Sequence, residues 1–125
     1  MPPKTSATLT EAELRLMNVL WDKDSATVQQ ILDALPENPP LAYNSVLTTM
    51  RVLERKGYVM HVRDGRAHVY APLVGRKEAS RFEVRHLLNR FFKNSHELLV
   101  LNLMEDESIE TDELKRLRDL LQRRT

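Results

Sequence analysis

Apolar residues recur at helical spacing between Tyr43 and Gly57, and this stretch therefore predicts an amphipathic helix. Val46, Met50 and Leu53 fall at i, i+4 and i+7, so they share one face and are expected to pack inward. The opposite face is polar and basic, and it carries Asn44, Thr48, Arg51 and Arg55, with Ser45 beside them. Gly57 is predicted to end the helix, as a glycine just past the last turn commonly does.

After Gly57 the pattern changes to one that is typical of β-strands. Residues 58–63 and 67–71 are rich in Tyr and Val, and Asp64-Gly65 between them is a strong signal for a tight hairpin. Arg63 and Arg66 flank the predicted turn and place two guanidinium groups at the hairpin tip. A helix followed by such a hairpin is the order found in a winged helix-turn-helix.

Upstream, residues 9–35 predict two further helices, each opened by a capping box. In the first helix the box is Thr10 with Glu13, and Leu9 with Leu14 forms a hydrophobic staple. Its inward stripe is expected to comprise Leu14, Met17, Leu20 and Trp21. In the second helix the box is Thr27 with Gln30, and the inward residues are Val28, Ile31 and Leu35. The proline-rich residues 36–40 are predicted to end this helix and to turn the chain into the next one.

Charge is distributed unevenly along the 125 residues, although the net charge is only +1. Residues 43–68 hold five Lys or Arg against two Asp or Glu, and residues 76–96 hold six against two. Residues 97–125 reverse this balance, with five basic against eight acidic residues. The basic regions suit a phosphate backbone, whereas the acidic end is expected to face away from it.

Helix and hairpin together favour binding to double-stranded DNA. Asn44, Ser45 and Thr48 suit base edges in the major groove, because short side chains let a helix approach closely. Arg51, Arg55 and Lys56 are placed to meet phosphates, and Arg63 and Arg66 to reach a minor groove or its phosphates. The alternatives are a solvated amphipathic helix face and a solubilising turn with its charges kept away from the core.

From Gly75 onward the apolar pattern predicts three helices with more apolar surface than they can cover by themselves. The first is crowded with Phe82, Val84, Leu87, Leu88, Phe91 and Phe92. Asn94 with Glu97 is a candidate cap for the second, whose residues 98–104 are apolar almost all round, and Thr111 opens the last. We expect a symmetric homodimer held by Phe82, Leu87, Leu88, Phe91, Leu98, Leu101, Leu114, Leu117 and Leu121. The alternative is that these helices fold back on the first domain.

The predicted fold is thus mainly α with a small β-hairpin: a winged-helix domain over residues 1–74 and a three-helix dimerisation domain over residues 75–125. Zero cysteines exclude a disulfide framework and a thiolate metal site. His61, His68, His86 and His96 show no metal-ligand spacing, and no phosphate loop or nucleophile elbow is present. The sequence therefore predicts no enzyme, metal or cofactor. His61 and His68 lie on opposite arms of the hairpin and are expected to form a solvent-facing pair.

The chain shows no signal peptide pattern and no apolar run near the ~20 residues that cross a bilayer, so we expect a cytoplasmic protein. Two other functions stay open at this point. One is a helical protein-interaction module without DNA binding, and the other is a winged-helix regulator that responds to a ligand bound between its domains.

The order of these motifs resembles the penicillinase and methicillin-resistance repressor family, winged-helix dimers that repress β-lactam resistance operons. The motifs are Leu9-Thr10 with Glu13-Leu14, residues 17–21, 43–49, 55–57 and 63–67, Val69-Tyr70 and residues 98–103. The resemblance covers nearly the whole chain. It implies a dimer that occupies a palindromic operator overlapping a promoter and thereby blocks transcription.

The resemblance also implies DNA contacts at Asn44, Ser45, Leu47 and Thr48. Several relatives have an arginine where Leu47 stands, which implies different base preferences and an apolar contact with a thymine methyl. Family members are inactivated by proteolysis in the dimerisation domain, by or through a membrane-bound zinc metalloprotease that senses antibiotic. The matching bond is Asn102–Leu103, where the best-known members have an aromatic residue in place of Leu103. A copper-responsive branch binds metal through cysteine pairs, which this chain lacks.

Overall fold

The computed structural model describes residues 8–36 and 40–124, which form six helices and three strands. They are α1 (Glu11–Lys23), β1 (Ala26–Thr27), α2 (Val28–Ala34), α3 (Tyr43–Lys56), β2 (Val59–Asp64), β3 (Ala67–Pro72), α4 (Arg76–Phe91), α5 (His96–Met104) and α6 (Thr111–Arg123). The chain divides into two compact units after Val84, inside α4. We call them the N-terminal unit and the C-terminal unit.

Both predicted capping boxes are confirmed. The Thr10 hydroxyl accepts from the Glu13 N–H at 3.2 Å, and Glu13 Oε1 accepts from the Thr10 N–H at 2.9 Å. The Thr27 hydroxyl and the Gln30 side chain form the same reciprocal pair at 3.1 and 2.9 Å. These bonds satisfy N–H groups that the first turn of a helix leaves without partners, and they fix where α1 and α2 begin.

The predicted ends of α2 and α3 are also found. α2 ends at Ala34, ahead of Pro36, while residues 37–39 of the predicted proline-rich break lie outside the described residues. α3 ends at Lys56, and Gly57 caps it with a φ of 89°, a left-handed conformation that costs glycine little. The N–H of Tyr58 bonds to the Leu53 carbonyl at 3.0 Å, which completes the helix end.

The core of the N-terminal unit lies between α1, α2, α3 and the sheet. Its fully buried side chains include Leu16, Met17, Leu20, Ile31, Val46, Met50, Leu53, Tyr58, Val59 and Tyr70. The predicted inward faces of α2 and α3 are confirmed, since Val28, Ile31 and Leu35 are buried together with Val46, Met50 and Leu53. Burial raises the pKa of Tyr58 to about 12, with the Glu83 and Glu13 carboxylates adding to the effect.

The inward face of α1 is rotated from its predicted position. Met17 and Leu20 are buried as expected, but Leu16 is buried as well and Leu14 is only half-buried. Trp21 is half-buried rather than fully enclosed, and its indole N–H donates to the Val74 carbonyl at 2.8 Å. The Val74 carbonyl thus supplies the acceptor that the indole N–H needs at the edge of the core.

The sheet is antiparallel with strand order β1-β3-β2. β2 and β3 pair in register from Val59 opposite Pro72 to Asp64 opposite Ala67, which confirms the hairpin. The connecting residues are Gly65, at φ 63°, and Arg66, so the loop lies one residue later than the predicted Asp64-Gly65 turn. A positive φ at the first of two loop residues fits a type II′ hairpin turn.

In the C-terminal unit, α5 begins differently from the prediction. Its N-cap is Ser95, whose hydroxyl accepts from the Leu98 N–H at 3.1 Å. The predicted cap at Asn94 is wrong, because Asn94 takes a left-handed conformation at φ 60° and its N–H bonds to the Leu88 carbonyl at 2.9 Å. Phe92 lies just past the end of α4, and Thr111 is the first residue of α6 as predicted.

Apolar burial in the C-terminal unit is sparse. Leu88 is buried at 4% exposure, whereas many large apolar side chains of α4, α5 and α6 are exposed to solvent. These are Leu87, Phe91, Leu98, Leu101, Leu103, Met104, Leu120 and Leu121. None of the described helices is long and apolar enough to span a bilayer.

Candidate nucleic-acid interface

The outer face of α3 does not pack against the core. Val46, Met50 and Leu53 hold the helix to the core, and this leaves a continuous row of exposed side chains on the opposite face. The exposed row consists of Asn44, Ser45, Thr48, Arg51 and Arg55. The first turn has no side-chain cap, so its leading N–H groups remain available to an outside acceptor. The helix therefore presents short donors at its start and two guanidinium groups further along.

The hairpin tip supplies a second basic element. Arg63 and Arg66 are exposed, as is every residue from 62 to 68. Among the described residues, no ion pair occupies Arg51, Arg55, Arg63 or Arg66. Four guanidinium groups that form no ion pair with the described residues suit an external polyanion, because arginine binds phosphate with paired N–H donors.

A groove of about 390 Å³ lies beside Leu47, between the start of α2, the start of α3 and the hairpin tip. Its lining comprises Thr27, Val28, Gln29, Tyr43, Leu47, Arg66, Ala67 and His68. Leu47 is half-buried and packs against the core cluster, so part of its side chain contributes to the core and part lines the groove. The groove brings Leu47 and Arg66 to a common surface, a juxtaposition that the sequence did not predict.

Lys56 is placed differently from the four arginines. Its ammonium group pairs with Glu13 Oε1 at 2.7 Å and donates to the Thr8 carbonyl at 3.2 Å. Glu13 is 5% exposed, and a carboxylate at that depth needs such a partner. A phosphate contact by Lys56 would have to compete with this ion pair.

Two histidines lie between α3 and the hairpin. His61 Nδ1 is 2.8 Å from both carboxylate oxygens of Glu54, and the His61 ring stacks on His68 with ring centroids 4.6 Å apart. The predicted approach of the two histidines is thus confirmed, although His61 is only half-exposed because Glu54 covers it. Burial raises the pKa of the neighbouring Tyr70, and the Glu54 carboxylate adds to the effect. The described residues contain no group of three or more His, Cys, Asp or Glu side chains suited to hold a metal ion.

Sequence reasoning missed Gln29, Tyr43 and His68 as members of this surface. Only Tyr43 carried a local signal, since it precedes the polar row at the start of α3. Gln29 and His68 reach the surface through the way α2 and β3 pack beside α3, which no spacing along the chain encodes.

Two curated repressors are similar to this chain over most of its length. The penicillinase repressor of Bacillus licheniformis is 25% identical over 114 residues, which cover 91% of this chain and 89% of the repressor. The methicillin resistance regulatory protein MecI of Staphylococcus aureus (strain N315) is 25% identical over 116 residues, covering 93% and 94% of the two chains.

A solved structure of a protein–DNA complex is similar to part of this chain. The solution structure of the monomeric form of Bacillus licheniformis BlaI in complex with the blaP half-operator matches with a TM-score of 0.50 and 25% identity. The match covers 60% of this chain and 92% of that one, and it confirms the predicted winged-helix fold. A family model described as the penicillinase repressor matches residues 9–123, and the chain belongs to that family of transcriptional repressors.

Proposed function

We propose that this chain represses transcription by binding operator DNA through α3 and the hairpin formed by β2 and β3. The observation that carries the proposal is the exposed polar row on α3 and the nearby hairpin tip, which together carry four guanidinium groups that form no ion pair within residues 8–36 and 40–124. The operator-bound BlaI domain, which shares this fold, supports the same use of the N-terminal unit. The names of the relatives favour genes of β-lactam resistance as targets.

In this proposal the first turns of α3 contact base edges. Asn44, Ser45 and Thr48 carry hydroxyl and amide groups that can bond to the edges of bases in a major groove. Leu47 contributes an apolar surface at the groove beside the hairpin tip and favours contact with a thymine methyl. Together these four side chains set sequence preference.

The guanidinium groups set affinity in the proposal. Arg51 and Arg55 lie one to two turns further along α3, where phosphates flank the groove that the helix enters. Arg63 and Arg66 at the hairpin tip meet the adjacent minor groove or its phosphates. Lys56 anchors α3 to α1 through Glu13, and we therefore assign it to the scaffold first and to phosphate binding second.

We further propose that the active form is a homodimer joined through residues 75–125. The support is the exposed apolar surface of the C-terminal unit, where Phe91 is 66% and Leu121 55% exposed in a single chain. A groove of about 720 Å³ between α5 and α6 is lined mainly by apolar side chains, among them Val100, Leu103, Leu117 and Leu120. Water-exposed surface of this kind is costly unless a partner covers it.

Not every residue predicted for the dimer contact needs a partner. Phe82 packs against the core of the N-terminal unit, with its ring centroid 6.5 Å from that of Tyr58 in an edge-to-face pair. Leu88 is already buried within one chain. The proposed contact therefore rests on Leu87, Phe91, Leu98, Leu101, Leu114, Leu117 and Leu121.

We also propose that repression is relieved by cleavage at Asn102–Leu103, by or through a membrane-bound sensor metalloprotease. This bond lies in the last turn of α5, and both residues are exposed. The last turn of a helix opens at low cost, because few backbone bonds hold it. Cleavage there would remove α6 and with it half of the groove proposed to receive the partner.

Selection from a random duplex library, followed by gel shifts of the selected and a scrambled duplex at two salt concentrations, tests the DNA-binding proposal. We expect a palindromic selected sequence, bound more tightly than the scrambled duplex and more weakly as salt rises. Failure to retard either duplex would exclude the repressor and favour a helical protein-interaction module. Equal retardation of both duplexes would show general DNA binding without an operator.

A further inference from the structure

Glu54 and His61 join the last turn of α3 to the first half of β2. His61 Nδ1 lies 2.8 Å from both oxygens of the Glu54 carboxylate, and each side chain is 34% exposed. An ionised carboxylate only accepts hydrogen bonds, so Nδ1 must carry the proton and donate to it. The bond therefore fixes both the tautomer and the plane of the His61 ring.

The contact continues from His61 into the outer hairpin. The His61 ring stacks on His68 at an interplanar angle of 24°, and it lies 5.4 Å from the ring of Tyr70, which is buried. His68 pairs across the hairpin with Arg63 and lines the same groove as Arg66. Side-chain contacts thus lead from α3 through His61 to His68, which stands opposite Arg63 in the strand register and shares a groove with Arg66.

Residues 62–68, the outer part of the hairpin, have few other constraints on their direction beyond the pairing of β1 with Val69 and Tyr70 at their base. Residues 62–68 are all exposed, so no core packing holds them, and Val59 and Tyr70 are the buried residues of the two strands. A two-stranded ribbon without packing is marginally stable and twists freely. Side chains at its base therefore have a large influence on where its tip lies.

The negative charge of Glu54 is unfavourable for the proposed DNA binding by α3. Glu54 stands between Arg51 and Arg55 in the sequence of α3, on a helix proposed to meet phosphates, where a carboxylate is repelled. A structural use of the carboxylate explains why an acidic residue is compatible with this position.

We propose that Glu54 and His61 are positioning residues that fix the direction of the hairpin relative to α3. His68, which stacks on His61, extends this effect toward the hairpin tip. These residues thereby fix the separation between the base-contacting side chains of α3 and the arginines at positions 63 and 66. The inference rests on the proposed DNA binding, and it adds residues that touch no base or phosphate themselves.

Binding of the full chain to the duplex selected by the wild-type protein provides the first test. Glu54→Ala and His61→Ala should each weaken binding about fivefold to tenfold, and the double variant should be no weaker than His61→Ala. Glu54→Gln should bind at least as tightly as the wild type, because its side-chain oxygen still accepts from Nδ1–H while the negative charge is gone. Glu78→Ala, which removes an exposed carboxylate from the first turn of α4, is the matched control and should not weaken binding.

The sign of the Glu54→Ala effect decides the question. If the carboxylate acts only as a charge, its removal should tighten binding, and equal or tighter binding by Glu54→Ala would overturn the positioning role. A wild-type protein that selects no duplex would instead refute the proposed function.

NMR spectra of the free full-length protein test the hydrogen bond between Glu54 and His61 in the absence of DNA. We expect the Nδ1-protonated form of His61, and amide shifts at Gly65 and Arg66 that move in Glu54→Ala but are kept in Glu54→Gln. The positioning role would be overturned, even if DNA binding is confirmed, by an Nε2-protonated tautomer of His61. Amide shifts at Gly65 and Arg66 that do not change in Glu54→Ala would overturn it as well.

Discussion

The two units of this chain differ in how far they bury their apolar side chains. The N-terminal unit encloses Met17 and Leu53 completely, whereas the C-terminal unit leaves Phe91 and Leu121 more than half exposed. Burial of such side chains is the main favourable contribution to folding, so the first unit has what it needs to fold alone. The second leaves much of its apolar surface exposed, and this exposure is what supports the proposed dimer contact.

Their polar surfaces differ in the same sense. In the N-terminal unit a basic row on α3 and a basic hairpin tip stand on a closed core. The C-terminal unit ends in an acidic region, with eight Asp or Glu against five Lys or Arg in residues 97–125. The charge of the N-terminal unit is thus suited to a polyanion, whereas that of the C-terminal end is not.

Removal of α6 should separate the two activities. A chain that ends at Asn102 is expected to be mainly monomeric and to bind the selected palindromic duplex about 10²–10⁴-fold more weakly. The affinity falls because two N-terminal units that are no longer linked bind the two half-sites independently, without the high effective concentration of a dimer. Gel filtration and a titration with labelled duplex measure both properties. A truncated chain that stays dimeric with full affinity would exclude pairing through α5 and α6 and the proposed relief by cleavage.

Substitution of one leucine in each unit should affect different properties. Leu53→Ala leaves a cavity in a closed core and should lower the free energy of unfolding by about 2–5 kcal/mol. Leu121→Ala should change unfolding of the N-terminal unit by less than about 0.5 kcal/mol and should weaken self-association instead. Fluorescence of Trp21, the single tryptophan, follows unfolding of the N-terminal unit in denaturant. Equal destabilisation by the two variants would contradict the contrast between the units.

Within the proposed interface, Arg51 and Thr48 should behave differently. Arg51→Ala is expected to weaken binding to all duplexes and to reduce the salt slope by about one, whereas Thr48→Ala should change discrimination between bases by about 1–3 kcal/mol. Arg116→Ala removes an exposed arginine from α6 and serves as the charge-matched control. Equal losses on selected and scrambled duplexes for Thr48→Ala would refute its role in base recognition.

Much of the N-terminal unit follows from signals that are local in the sequence. The capping boxes at Thr10 and Thr27 and the left-handed Gly57 are each decided by residues within one turn, and all three are confirmed. The hairpin was predicted as well, but its loop is displaced by one residue because pairing of Asp64 with Ala67 extends the strands. The Asn94 cap failed for a related reason, since Ser95 next to it has equal capping chemistry.

The remaining features depend on contacts between distant residues. β1 has only two residues and exists because Ala26 and Thr27 pair with Tyr70 and Val69, more than forty positions away. The ion pair between Glu13 and Lys56 likewise joins residues 43 positions apart. No spacing rule reaches that far, and a single sequence offers no second source of such information. The same holds for the groove at Leu47, which needs three elements to meet.

Sedimentation of the full-length chain at micromolar concentration, alone and with a palindromic duplex, measures whether the protein binds its operator as a dimer. We expect a dimer, with two chains in solution without DNA and two chains per duplex when the half-sites are separated by about one helical turn. A single chain at these concentrations, or a complex of one chain per full palindrome, would contradict it.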